Sequence, residues 1–423
     1  MSDSCRYGSP CVLPLRERAR VVNGILARRF ETLLPVVMRE AGFDMWIIIC
    51  NEDHYDPVFR TMAPWECWAP ILQMVVLYDP GPGKDVERLS ISLTNMQGLM
   101  ETVWGLDRKE DQWACLERLV QERNPKRIGI NQSDVIWAAD GLTAGLKERL
   151  IVALGPDLAS RVASAEPLCV RWLETLIPEE LDLYGQACAI AHGIIRYCFS
   201  RQVVTPGVTT IEDLRWAYWQ RASDLGLQVS FPPFFRMIRR NASKARWGED
   251  DRIVRPGDML HCDVGVKYLR LNTDHQELAY VLRPGETDAP EGLRNGMAEA
   301  NRLQEIFTGA WEAGLTGNQI LARALGRARE AGVSSPKIYS HSLGYYLHEP
   351  GPLMGLPWEQ GDIPGRGDVV MQHNTSYTVE LSVACPVAEW DGLDVGFPIE
   401  QDAAITEDGV FFIDGRQTRF HLI

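Results

Sequence analysis

Residues 261–280, HCDVGVKYLRLNTDHQELAY, constrain this chain more than any other stretch. They read as a β-hairpin, with an incoming strand over 259–266 and an outgoing strand over about 273–282. A turn centred on Tyr268 and Leu269 sets Asp263 and Asp274 opposite each other across the ladder. Directly opposed side chains have Cβ atoms about 4.5–5.5 Å apart. Two carboxylates that close repel unless positive charge lies between them. A buried aspartate pair on a sheet therefore asks for a cation; two solvent-facing hairpin residues are the alternative at this point.

Three later stretches add acids and histidines: HSLGYYLHEP from His341, YTVEL around Glu380, and FPIEQD around Glu400. Between Glu380 and Glu400 lies Trp390-Asp391-Gly392, whose Asp-Gly is a hairpin turn signal. A hairpin centred there brings Glu380 and Glu400 nearly opposite each other, repeating the geometry of the aspartate pair. Four carboxylates and one imidazole suit two divalent ions. Oxygen-rich sites favour Mn²⁺, Mg²⁺ or Co²⁺, and the imidazole admits Zn²⁺ or Fe²⁺. Two ions about 3.5–4 Å apart can bridge a water, make hydroxide near neutral pH and polarise a carbonyl.

The rest of the chain frames this constellation. Residues 16–41 read as helix, followed by strands over 43–50, 71–78 and 89–93, a helix over 111–122, a strand over 127–131 and a helix over 140–150. The alternation implies a smaller α/β domain over 1–165. Residues 166–174 read as the crossing into a second domain, 166–423. A long helix opens at Pro178 and runs to about 203, with acids behind the proline as the helix dipole favours. A capped helix to about 226, the hairpin, and helices over 292–313 and 317–332 make the second domain α+β, an antiparallel sheet with flanking helices.

A net charge of −14 argues against a nucleic-acid partner. No apolar run approaches the ~18–20 residues of a membrane span. The first residues lack the pattern of a signal peptide, so the expected location is the cytoplasm. None of the ten cysteines forms a C-x-x-C pair, which removes zinc-ribbon and redox readings.

The ordered set resembles the pita-bread-fold metallopeptidase family, which includes aminopeptidase P, prolidase, methionine aminopeptidase and the non-metal creatinase. The family's ligands come as Asp, Asp, His, Glu, Glu, and a second His follows the first by seven. Here Asp263 and Asp274 are eleven apart, His341 and His348 seven apart, and Glu380 and Glu400 follow. The match covers about 165–423, and the preceding domain resembles that of the aminopeptidase P, prolidase and creatinase branch. The resemblance implies that Asp263 chelates one ion, that Asp274 and Glu400 bridge both, and that His341 and Glu380 hold the other. It gives Glu380 a second role as proton acceptor and donor, and His348 a hydrogen bond to substrate. It also implies a homodimer acting on a small peptide or amide.

One departure stands out. The family places another histidine some 17 or 18 residues before the first Asp, where this chain has Ala245 and Arg246. Arg246 is a candidate substrate cation there, with Tyr345 and Arg416 as further substrate contacts and residues 351–367 as an active-site rim. His261 is read as facing away from Asp263, as a packed residue; His192 and His421 receive no role. The expectation is a dinuclear, Mn²⁺-dependent Xaa-Pro aminopeptidase or dipeptidase that cleaves an imide bond to proline with a metal-bridging hydroxide. Hydrolysis of a small non-peptide amide or other C–N bond is the alternative, and a non-catalytic binding protein on the same scaffold is the second.

Overall fold

The computed structural model describes residues 12–105 and 109–423. The chain forms two compact units, Leu13–Ile177 and Pro178–Ile423. The segment 166–174 is a helix, Glu166–Glu174, of the first unit.

The first unit is a six-stranded mixed sheet with helices. In spatial order its strands are Glu101–Thr102, Glu87–Ser90, Leu72–Tyr78, Met45–Asn51, Ile128–Ile130 and Val162–Ser164. The run from Met45 to Cys50 is apolar throughout because it lies between an antiparallel and a parallel neighbour and is buried along its length. The expected helix over 16–41 is present with one π-helical turn, Arg29–Leu33, at its centre. There the Arg29 guanidinium is buried over the Trp172 ring, 4.5 Å from its centroid, and donates to the Thr175 carbonyl.

The second unit carries the candidate site. Its elements relevant here are α1 (Pro178–Cys198), β1 (Phe234–Ile238), β2 (Met259–Val264), β3 (His275–Tyr280), α2 (Glu291–Thr308), α3 (Gly317–Glu330), β4 (Lys337–Tyr339), β5 (Glu380–Val387) and β6 (Leu393–Ile399). Strands β1, β2 and β3 pair antiparallel in that order, as do β4, β5 and β6. One bridge joins the two groups: Gln276 and Glu400 exchange backbone hydrogen bonds of 3.1 and 3.0 Å. Helix α2 turns Leu293, Met297, Ala300, Leu303 and Phe307 inward at helical spacing. It packs so closely that a Cβ on Gly296 would stand 2.1 Å from the Phe397 ring.

The hairpin register differs from the sequence expectation. The turn is the two-residue tip Leu269–Arg270, both residues at positive φ (51° and 74°), between the paired Tyr268 and Leu271. Two-residue turns of that handedness match the twist of the flanking strands, but usually carry Asn or Gly, so Leu-Arg gave no signal. Moving the centre by one residue moves every partner by two. Asp263 is opposite Gln276, and Asp274 lies two residues along the same face. The other hairpin falls as the Asp-Gly signal implies. Leu381 pairs with Ile399, so Glu380 and Glu400 flank each other at the next step.

Candidate metal centre

Cross-strand neighbours share a face, and the register therefore draws a row across both strand groups. It runs Phe234, Asp263, Gln276, Glu400, Glu380, Tyr339. Asp274 lies beside the row, and His341 reaches it from the segment after β4, its Nε2 3.6 Å from Asp274 Oδ2. Ligand-type atoms of Asp274, His341 and Glu400 all lie within 4.8 Å of one another, and all three residues are buried. His348 meets His341 edge-on, with ring centroids 4.3 Å apart, and is itself exposed. The five expected ligands and His348 thus belong to one face of one unit.

The donor set fits a cation. Asp274 Oδ1 and Glu400 Oε1 are buried acceptors with no hydrogen-bond partner, a state native interiors avoid. Burial, followed by neighbouring carboxylates, pushes Asp274 and Glu400 well above the usual carboxylate range. Burial and then Asp263 raise Glu380 to about 8, and burial raises Asp263 to about 6 against the pull of Arg236. Burial and then His348 hold His341 neutral, the form in which an imidazole ligates. Carboxylates this close share protons unless an ion replaces them.

Gln276 is the residue that sequence reasoning missed. Its Nε2 donates to Glu380 Oε1 and to Glu400 Oε2, both at 2.8 Å, and its Oε1 is 2.9 Å from His261 Nε2. Carboxylates only accept, so the amide nitrogen must face them, and His261 must donate to the oxygen. The sequence reading places His261 on the face away from Asp263; the structure puts both on one face, because residues two apart on a strand share it. Burial lowers His261 to about 3, which keeps it neutral. Two cations flank the row: Arg236 acts electrostatically on Asp263 and His261, and Arg366 on His341, His348 and Tyr339. The usable signal for Gln276 and Tyr339 was their spacing, each two residues from an expected ligand.

The candidate substrate residues lie as follows. Arg246 is on the helix Asn241–Trp247, exposed, with its guanidinium 4.5 Å from the Trp247 ring centroid. Tyr345 is buried and donates its hydroxyl to Glu180 at 2.6 Å. Arg416 pairs with Glu305 at 2.5 Å and donates to the Asn301 carbonyl, both on α2. The 351–367 rim is tied in part by Arg366, which donates to the carbonyls of Glu349 and Gly351.

The model of metallopeptidase family M24 matches residues 182–407, more than half of the chain. Curated proteins yield no match. Among solved structures, an X-Pro aminopeptidase from Thermotoga maritima superposes with a TM-score of 0.64 at 17% identity, over 92% of this chain and 100% of that one. An Xaa-Pro dipeptidase from Bacillus anthracis gives 0.58 at 18% identity, over 96% and 100%. A dipeptidase from Mycobacterium ulcerans gives 0.61 at 15%, over 95% and 98%. These likenesses show a shared fold of two domains. Among the described residues no helix is long and apolar enough to cross a membrane.

Proposed function

This chain belongs to metallopeptidase family M24, and from that premise we propose that it is a dinuclear-metal hydrolase cleaving the imide bond between a residue and proline in a small peptide. The observation that carries the reading is the buried group of Asp274, His341 and Glu400 with two unpartnered carboxylate oxygens. Asp263 and Glu380, on the same row, would complete a pair of ion positions bridged by Asp274 and Glu400. The oxygen-rich donor set favours Mn²⁺, with Co²⁺, Zn²⁺ or Fe²⁺ as substitutes. Bound divalent ions would polarise the substrate carbonyl and lower the pKa of a water beside it.

The remaining roles fall to the chain. Gln276 holds one oxygen each of Glu380 and Glu400 and so fixes the direction of both carboxylates. Glu380 takes a proton from the attacking water and returns it to the departing nitrogen, ordinary general acid–base work. The water oxygen bonds to the carbonyl carbon, the C–N bond breaks, and the proline nitrogen leaves with that proton. Proline's nitrogen carries no hydrogen in the peptide and its ring holds the preceding residue extended. The site therefore needs shape on the leaving side more than an acceptor, and half-exposed Phe234 at the end of the row offers an apolar wall. His348, exposed beside His341, would donate to the substrate carbonyl. The reading includes a cytoplasmic homodimer, checked by sedimentation and fractionation.

A small non-peptide amide is the second reading. It is favoured by the helix Asn241–Trp247, which carries Ala245 and Arg246 where the family resemblance implies a histidine. The test compares Gly-Pro, Ala-Pro-Ala and Ala-Ala-Ala with metal-free protein after adding back Mn²⁺, Co²⁺ or Zn²⁺. Hydrolysis of a proline substrate alone is expected. No turnover of any of the three by protein carrying two ions would leave the amide reading.

A further inference from the structure

Strand β3 and the residue before it present Asp274 and Gln276 to the candidate metal centre, and His275 and Glu277 to the other face. On that face His275 meets Cys188 of α1 and Asp402. Ligand-type atoms of these three residues also lie within 4.8 Å of one another, and all three are buried. We propose that Cys188, His275 and Asp402 form a second, structural metal site that takes zinc, separate from the catalytic centre.

The distances fit the ion. Zinc sits about 2.3 Å from a thiolate, 2.0–2.1 Å from an imidazole nitrogen and 2.0–2.2 Å from a carboxylate oxygen. A tetrahedron with those bonds separates its ligand atoms by about 3.3–3.7 Å. Here Cys188 Sγ donates to Asp402 Oδ2 at 3.4 Å, and His275 Nδ1, 3.7 Å from the same oxygen, donates to the Asp274 carbonyl at 2.5 Å and would ligate only after releasing that proton and turning from the carbonyl. The remaining position falls to the second Asp402 oxygen or a solvent molecule.

The chemistry fits as well. Thiolate, carboxylate and neutral imidazole carry two negative charges, which balance one divalent ion in a site without solvent. Without the ion the three residues are only partly paired: the Cys188 thiol donates to Asp402, and Asp402 accepts from the Asp274 N–H. His275 Nδ1 turns to the carbonyl of its neighbour Asp274, and its Nε2 has no partner. A supporting layer is already in place. His192 stacks on His275 with centroids 4.3 Å apart, its own nitrogens held by Asp414 at 2.8 Å and Gln401 at 3.0 Å. The Asp274 backbone N–H lies 3.3 Å from both Asp402 oxygens. Groups that hold the ligands in this way are what metal sites use to fix direction.

Sulfur makes the test specific, because none of the five candidate catalytic ligands contains it. The full chain is stripped with chelator and reloaded with Co²⁺, and thiolate-to-cobalt charge-transfer absorption is read in the near ultraviolet. The band is expected in the wild type and in the buried control Cys262→Ser, and is expected to vanish in Cys188→Ser with loss of one bound ion. Absence of the band in metal-loaded wild type, or its survival in Cys188→Ser, overturns the proposal. Should Cys188→Ser not fold, X-ray absorption on zinc-loaded wild type decides it. A sulfur scatterer at about 2.3 Å supports the site and its absence removes it. A hydrolase with no sulfur signal would leave the proposed function intact, so the two failures are distinguishable.

Discussion

Gln276→Glu changes one atom's identity at the middle of the row. The amide nitrogen that stands 2.8 Å from both Glu380 Oε1 and Glu400 Oε2 becomes an oxygen. Hydrogen bonds to charged groups contribute about 1.5–3 kcal/mol each. Two are lost, so metal-free protein with its carboxylates ionised should lose about 3–6 kcal/mol. For a unit of this size 1 kcal/mol moves Tm by about 2–4 °C, which predicts a fall of at least about 6 °C. The new carboxyl is buried among like charges, so its folded pKa lies above its unfolded one. It binds protons more tightly in the folded state, and the deficit is small at acidic pH and grows as pH rises. A bound cation offsets the added charge, so the deficit should shrink when Mn²⁺ is present. Thermal melts of both proteins, in chelator and in Mn²⁺ at acidic and alkaline pH, make the comparison. A deficit unchanged by metal, or none in chelator at alkaline pH, refutes the role given to Gln276.

Three further outcomes are expected. If Asp274 and Glu400 each bridge two ions, as proposed, Asp274→Ala or Glu400→Ala should lose both; full occupancy by elemental analysis in both variants would remove the bridging assignment. His348→Ala should keep its metal while losing most turnover, at least about 10²-fold, and loss of metal in step with activity would make His348 a ligand. In the metal-free wild type, burial and then Asp263 push Glu380 up to about 8 from 4.5 for an ordinary glutamate. Its contribution to stability is therefore full below about 4.5 and is lost as pH rises toward 8, so chelator-treated protein should melt earlier at pH 8 than at pH 5 and added Mn²⁺ should reverse the order.

The ligand spacing was legible because each ligand is a distinct residue type and the order survives without any knowledge of pairing. Glu380 and Glu400 were placed correctly because Asp391-Gly392 names its turn. Asp263 and Asp274 were placed two positions out because Leu269-Arg270 does not. The long helices were legible from apolar spacing, as Leu293, Met297, Ala300 and Phe307 illustrate. Gln276 was not, since an uncharged amide between acids carries no motif. The gathering of His192, His275, Glu277 and His421 was equally hidden: α1, β3 and the chain's last strand meet there only after folding.

Strand β3 and the residue before it show why these two features belong together. A strand buried on both faces is normally apolar, yet Asp274, His275, Gln276 and Glu277 are consecutive and each is at most 5% exposed. Burying four polar side chains costs several kcal/mol unless each finds partners. Gln276 finds three, and Glu277 finds His421 and His192. Those bonds and burial's opposing pull leave Glu277 at about 2. Asp274 Oδ1 and His275 Nε2 are the two side-chain atoms of this run that find none. They belong to side chains on opposite faces, one in each group of metal-ligand type. The atoms left unsatisfied in this segment thus fall on the two residues that join those groups, and the Asp274 N–H, shared with Asp402, ties the two places through a single peptide.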